Sequence, residues 1–129
     1  VGNHSRSHKW SFPFKSYDKM CRDLNLTTAL LEAQTGTKIN YFRPPFGVTN
    51  PTIGKCVREL GLTVVGWSIR TFDTKHPDPD YVLNRIKKQL EPGAVILLHD
   101  RLPQSADILE KVLCYLEEND YIFDRPLPA

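Results

Sequence analysis

Five consecutive apolar residues, Ala94 to Leu98, set between Pro92-Gly93 and His99-Asp100, limit what this chain can fold into. The run is far shorter than the roughly 20 residues needed to cross a bilayer. Lacking polar alternation, it reads as a strand buried on both faces, the pattern of a parallel sheet. Leu62 to Trp67 is a second such run, and Ile39–Phe42 and Tyr121–Phe123 are shorter strand candidates.

Stretches of helical period lie between these runs. Ser16 is placed to cap a helix reaching to about Gly36, with Met20, Leu24, Leu30 and Ala33 on one face. Asn50-Pro51 starts a second helix that turns Ile53, Val57 and Leu60 inward and stops at Gly61. Asp78-Pro79 opens a third, carrying Val82, Ile86 and Leu90. Ser105 is expected to cap a fourth, with Ile108, Leu109, Val112, Leu113 and Leu116 recurring at helical spacing. Strands separated by helices of this length make βαβ units, so the chain is α/β, with about five strands and four helices. A closed barrel of eight such units runs to about 250 residues, or about 30 per unit. At that rate 129 residues hold four to five units, and the chain is either a small open sheet or part of a larger barrel. Neither GxGxxG nor a Walker A loop appears where a strand meets a helix.

Lys+Arg 17 against Asp+Glu 15 leaves a formal charge of +2, too weak a field to argue for nucleic acid. Cys21, Cys56 and Cys114 are odd in number and show no CxxC spacing. They read as small buried hydrophobes rather than as a disulfide framework or a zinc site. The opening Val-Gly-Asn-His has neither an initiator methionine nor the form of a signal peptide, so the chain is expected to begin inside a longer protein.

Four clusters carry chemistry-bearing side chains. His4-Ser5-Arg6-Ser7-His8 follows a strand end at Gly2-Asn3, and two imidazoles four residues apart reach one metal ion if the chain turns between them. A polar loop with two surface histidines fits the same residues. Arg43-Pro44-Pro45-Phe46-Gly47 projects an arginine from a proline-stiffened loop at the carboxyl end of a parallel strand, where α/β active sites collect; a solvated arginine on a stiff connection is the plainer reading. Asp73, in Trp67-Ser68-Ile69-Arg70-Thr71-Phe72-Asp73, suits either a turn cap or a partner for a histidine. His99, in Leu97-Leu98-His99-Asp100, suits either acid–base work near neutral pH or a satisfied core position.

Taken in order, HSRSH, RPPFG, WSIRTFD and LLHD resemble the second to fifth motifs of the polysaccharide deacetylases of carbohydrate esterase family 4, the NodB homology domain. The resemblance spans nearly the whole chain. It implies a distorted (β/α) barrel of about seven strands, of which residues 1–129 form the C-terminal portion. It also implies metal-dependent removal of acetyl groups from N-acetylated sugars of a chitin- or peptidoglycan-like polysaccharide. Residue by residue, the resemblance makes His4 and His8 ligands of a divalent metal, with zinc the first choice. Arg43 is the ion-pair partner of the base, and the backbone N–H of Phe46 a donor to the oxyanion. Leu97 lines the acetyl-methyl pocket. His99 is the general acid, and Asp73 holds it and favours its charged form. Family members that act on cell walls imply an extracytoplasmic or envelope location.

The sequence departs from the family pattern in two ways. The first motif, resembling TFDDG and supplying the base and a third metal ligand, has no counterpart ahead of His4. In the fourth, Thr74 stands where the family often has Trp, and Arg70 where many members carry Asp. Two other functions remain open from the sequence: hydrolysis of a cyclic imide or ureide on the same fold, and a carbohydrate-binding module whose chemistry has lapsed. Without its first strands the sheet is expected to expose an unpaired edge, which invites dimerisation.

Overall fold

Two short parallel strand pairs, each flanked by two helices, organise the structure, a computed structural model that describes residues 1–124. The chain divides into two compact units, Val1–Gly66 and residues 67–124, each with its own hydrophobic core.

In the first unit the order is α1 (Tyr17–Thr35), β1 (Tyr41–Phe42), α2 (Pro51–Glu59) and β2 (Thr63–Val64). β1 and β2 pair in parallel, Tyr41 opposite Thr63 and Phe42 opposite Val64. Asn3 adds an isolated parallel bridge to Phe42. α1 starts after Ser16, whose hydroxyl makes no capping bond, and ends where Gly36 turns left-handed at φ 65° and donates to Glu32 O. Its inward face is Met20, Leu24 and Thr27, whereas Leu30 and Ala33 are exposed. A period of 3.6 carries position 24 on to 27 or 28, so Leu30 falls on the outer side. Asn50 caps α2 as its motif predicts, accepting from Ile53 N at 2.8 Å with Pro51 in the first turn. The core is Phe12, Met20, Leu24, Phe42, Ile53, Cys56, Val57 and Leu62.

The cysteine expectation is corrected here. Cys21 on α1 and Cys56 on α2 lie with Cα atoms 5.4 Å apart, inside the range a bridge requires, and are joined as a disulfide. Cys114 is exposed rather than buried. Spacing along the chain carries no information on which helix faces meet. A bridge closing a 35-residue separation restricts the unfolded chain by about 4 kcal/mol. Cys21→Ala should therefore lower unfolding stability by that order, measured in urea. Reductant should lower wild type to the same level and leave Cys21→Ala unchanged.

The second unit runs β3 (Ile69–Arg70), α3 (Pro79–Lys87), β4 (Ile96–Leu97) and α4 (Ser105–Glu118). β3 and β4 are parallel, Ile69 opposite Ile96 and Arg70 opposite Leu97. Asp78 caps α3 by accepting from Tyr81 N at 2.7 Å. Ile69, Val82, Leu83, Ile86, Ile108, Val112 and Leu116 form the core; Leu109 is exposed and Leu113 half-buried. Residues 94–98 are half-buried rather than fully buried, and only Ile96–Leu97 are strand.

Two further expectations fail for identifiable reasons. Ser105 is the first residue of α4, not its cap. Its hydroxyl donates to His99 O at 2.7 Å and accepts from Leu102 N at 3.1 Å. Tyr121–Phe123 is no strand: Asp120 turns left-handed at φ 58°, Asp120 N donates to Glu117 O and Tyr121 N to Leu116 O. That pair of bonds is a Schellman motif, which folds the chain back onto its own helix end. Tyr121 packs on the core that contains Leu116. The described residues thus hold four α-helices, and four two-residue strands instead of about five longer ones. None of these helices is long and apolar enough to cross a membrane.

Candidate active site

The first unit gathers His4, His8, Arg43 and Phe46. Asn3 makes this possible, and nothing in its residue type announced the role. It is wholly buried, and its Nδ2 donates to Leu24 O and Thr28 Oγ1, both at 2.9 Å. Its Oδ1 accepts from Ser5 N at 2.9 Å, an Asx turn that reverses the chain straight after His4. Ser5 is left-handed at φ 65°, and its Oγ accepts from His8 N at 3.1 Å. Arg6 N donates to Asp23 Oδ1 of α1 at 3.1 Å. The loop is thus tied to α1, and the rings of His4 and His8 meet edge to face with centroids 4.7 Å apart.

His4 Nδ1 lies 2.7 Å from Arg43 O. A carbonyl only accepts, so Nδ1 carries the proton and the neutral ring holds its lone pair on Nε2, the tautomer of an imidazole metal ligand. The His8 imidazole is the second nitrogen donor beside it, and zinc takes imidazole nitrogens at about 2.0–2.1 Å. No group of three or more His, Cys, Asp or Glu able to hold a metal occurs among the described residues. The imidazole donors gathered here are His4 and His8.

The Arg43 guanidinium donates through Nε to Val65 O at 3.3 Å and through Nη2 to Gly66 O at 3.0 Å. It fastens the loop to the end of β2 while its own carbonyl orients His4. Beyond it, Pro44 and Pro45 are buried, and Phe46 and Gly47 are both left-handed, at φ 59° and 69°. Gly47 tolerates this; a phenylalanine there costs about 1–3 kcal/mol. The Phe46 ring meets His8 edge to face at 4.5 Å and stacks on Trp10 at 4.4 Å with 14° between the planes. Such pairs return about 0.5–1.5 kcal/mol each.

The second unit gathers Asp73 and His99. Asp73 is 1% exposed. Its Oδ2 accepts from His99 N at 2.7 Å, and its Oδ1 from His99 Nδ1 at 2.8 Å and Thr74 N at 3.0 Å. One carboxylate thus grips both the backbone and the ring of His99, fixing the proton on Nδ1 and leaving Nε2 as the second ring nitrogen of a side chain 39% exposed. Thr71, fully buried, was not singled out in the sequence. It donates to Leu97 O at 2.7 Å and locks β3 to β4 just ahead of Asp73. Phe72 is left-handed at φ 59°, with the guanidinium carbons of Arg70 and Arg85 at 4.8 and 4.5 Å from its ring centre. A cavity of about 340 Å³ borders His99, lined also by Leu98, Asp100, Ser105, Ala106, Ile108 and Leu109; Leu97 is not among its walls.

The polysaccharide deacetylase family model matches residues 1–65 of the 129. The chain belongs to the polysaccharide deacetylase family. The chain is 28% identical over 125 residues to the peptidoglycan-N-acetylglucosamine deacetylase PgdA of Listeria monocytogenes, covering 95% of this chain and 26% of that protein. To the peptidoglycan-N-acetylmuramic acid deacetylase PdaA of Bacillus subtilis it is 31% identical over 127 residues, covering 95% and 48%. Among solved structures, a carbohydrate esterase family 4 pseudoenzyme from Bacillus anthracis superposes with a TM-score of 0.85 at 30% identity, covering 94% of this chain and 42% of that one. The peptidoglycan deacetylase PdaC of Bacillus subtilis gives 0.84 at 27%, covering 94% and 58%. The chain therefore spans less than two thirds of the relatives it matches, and its fold class is part of the deacetylase (β/α) barrel.

Proposed function

We propose that the protein carrying this chain is a metal-dependent hydrolase that removes acetyl groups from N-acetylated sugars of a peptidoglycan- or chitin-like polysaccharide. The C-terminal portion of its single NodB-like domain is residues 1–129. The observation that carries this reading is the Asp73–His99 pair, a buried carboxylate gripping a half-exposed imidazole beyond the end of a parallel strand. A structural histidine needs no such double hold.

His4 and His8 hold the metal, for which their imidazole nitrogens favour zinc over harder cations. When bound, it polarises the acetyl carbonyl and lowers the pKa of a coordinated water. The Arg43 carbonyl keeps His4 in the ligating tautomer. The Arg43 guanidinium serves the carboxylate base of the family's first motif, which has no counterpart in residues 1–129. The Phe46 N–H donates to the oxyanion as charge develops there, and Leu97 borders the acetyl methyl. His99 delivers a proton to the departing sugar amine from Nε2, with Asp73 holding the ring in register. The names of PgdA and PdaA, both peptidoglycan deacetylases, and a disulfide of the kind retained in oxidising compartments support an envelope location.

Likeness to a pseudoenzyme favours a second reading, a glycan-binding scaffold without turnover. Acetate release from N-acetylglucosamine oligomers and from peptidoglycan by the zinc-loaded full-length protein separates the two. Release supports the hydrolase, and its absence on both glycans supports the scaffold.

A further inference from the structure

The segment Lys9–Phe14 carries three aromatic residues, and the fold uses one. Phe12 is in the core at 1% exposure, while Trp10 is 77% exposed. Trp10 is nonetheless held: its indole lies flat on Phe46, which meets His8, which meets His4. Four rings thus form one continuous series, from the metal-binding pair outward to the indole. Phe46 itself is 37% exposed and sits in a left-handed backbone that strains any residue but glycine. A strained backbone that presents an aromatic ring outward is not explained by core packing, because neither ring is buried.

We propose that Trp10 and Phe46 form an aromatic platform that holds a second pyranose ring of the glycan, beside the sugar being deacetylated. One indole face is spent on Phe46 and the other opens to solvent. An aromatic face is electron-rich, and a pyranose offers it a flat array of C–H groups of slight positive charge. Stacking on Phe46 fixes the indole before the sugar arrives, so less rotamer freedom is lost on binding. A polymeric substrate whose reacting sugar lies at His4 and His8 must continue over the neighbouring surface, and the ring series marks that surface. The inference rests on the deacetylase reading and names a positioning residue for it.

The test uses the full-length protein as wild type, Trp10→Ala and Trp10→Phe, with N-acetylglucosamine and its β-1,4-linked tetramer as probes. Trp10→Ala should raise KM and Kd for the tetramer about tenfold, with kcat within about twofold and the monosaccharide unaffected. Trp10→Phe, which keeps a stacking face, should restore most of the loss. Equal losses on both sugars would mean that Trp10 acts only through Phe46, and no loss on either would mean that the platform is idle; each overturns the proposal. If wild type releases no acetate, the deacetylase reading falls separately. Calorimetric Kd values for the tetramer then decide the platform: weaker binding by Trp10→Ala supports it, while unchanged or undetectable binding in both proteins overturns it.

Discussion

His99→Ala should slow release of acetate from N-acetylated sugars by about 10²–10⁴-fold, the range for removal of a general acid. It should leave hydrolysis of p-nitrophenyl acetate within about tenfold of wild type. The difference follows from the leaving groups: a sugar amine departs only when protonated, whereas nitrophenolate needs no proton. Equal losses on the amide and the ester would reassign His99 to another role. Asp73→Asn tests the same pair from the other side. Both carboxylate oxygens accept from His99, at 2.7 and 2.8 Å. An amide offers one acceptor and one donor, so one His99 N–H faces another N–H or the ring flips its proton to Nε2. The same kind of tautomer error in a serine protease triad costs about 10⁴ in kcat. Asp73→Asn should thus approach His99→Ala on the amide while remaining folded by circular dichroism.

Loss of an imidazole from the His4–His8 pair should be felt first in metal retention. A partner that merely orients a ligand is worth about 10–100-fold in affinity. Removing a ligand outright, by His4→Ala or His8→Ala, should weaken zinc binding by at least about 100-fold. Competition against a chromophoric chelator reads this without any turnover. Acetate release should fall in parallel at limiting zinc and recover in part at excess. Wild-type zinc affinity in both variants would remove the pair from the metal site.

Much of the helical framework was legible because its signals are local. Asn50-Pro51 and Asp78-Pro79 combine a side-chain cap with a proline that the first turn tolerates, and both caps form. Gly36 and Gly61 stop their helices by turning left-handed. Ser105 misled because its hydroxyl had a better acceptor six residues back, in His99 O, which only the tertiary structure supplies. The strand at Tyr121 was lost to a Schellman turn at Asp120, a position where glycine is the usual signal.

Within the candidate site, the side chains that motifs single out were readable and their holders were not. His4 is oriented by a main-chain carbonyl and Leu97 is tied through another, and a carbonyl looks the same whichever residue bears it. Asn3 and Thr71 are ordinary polar residues until their burial is known. The Cys21–Cys56 bridge required two helix faces to be seen together.

The cysteines also make the chain addressable at one point. With Cys21 and Cys56 committed to each other, a maleimide reagent finds only Cys114 within these 129 residues, exposed on α4. That helix also supplies four walls of the cavity beside His99. A nitroxide or fluorophore attached there would register substrate arriving near His99 and leave every residue of the proposed chemistry in its native form.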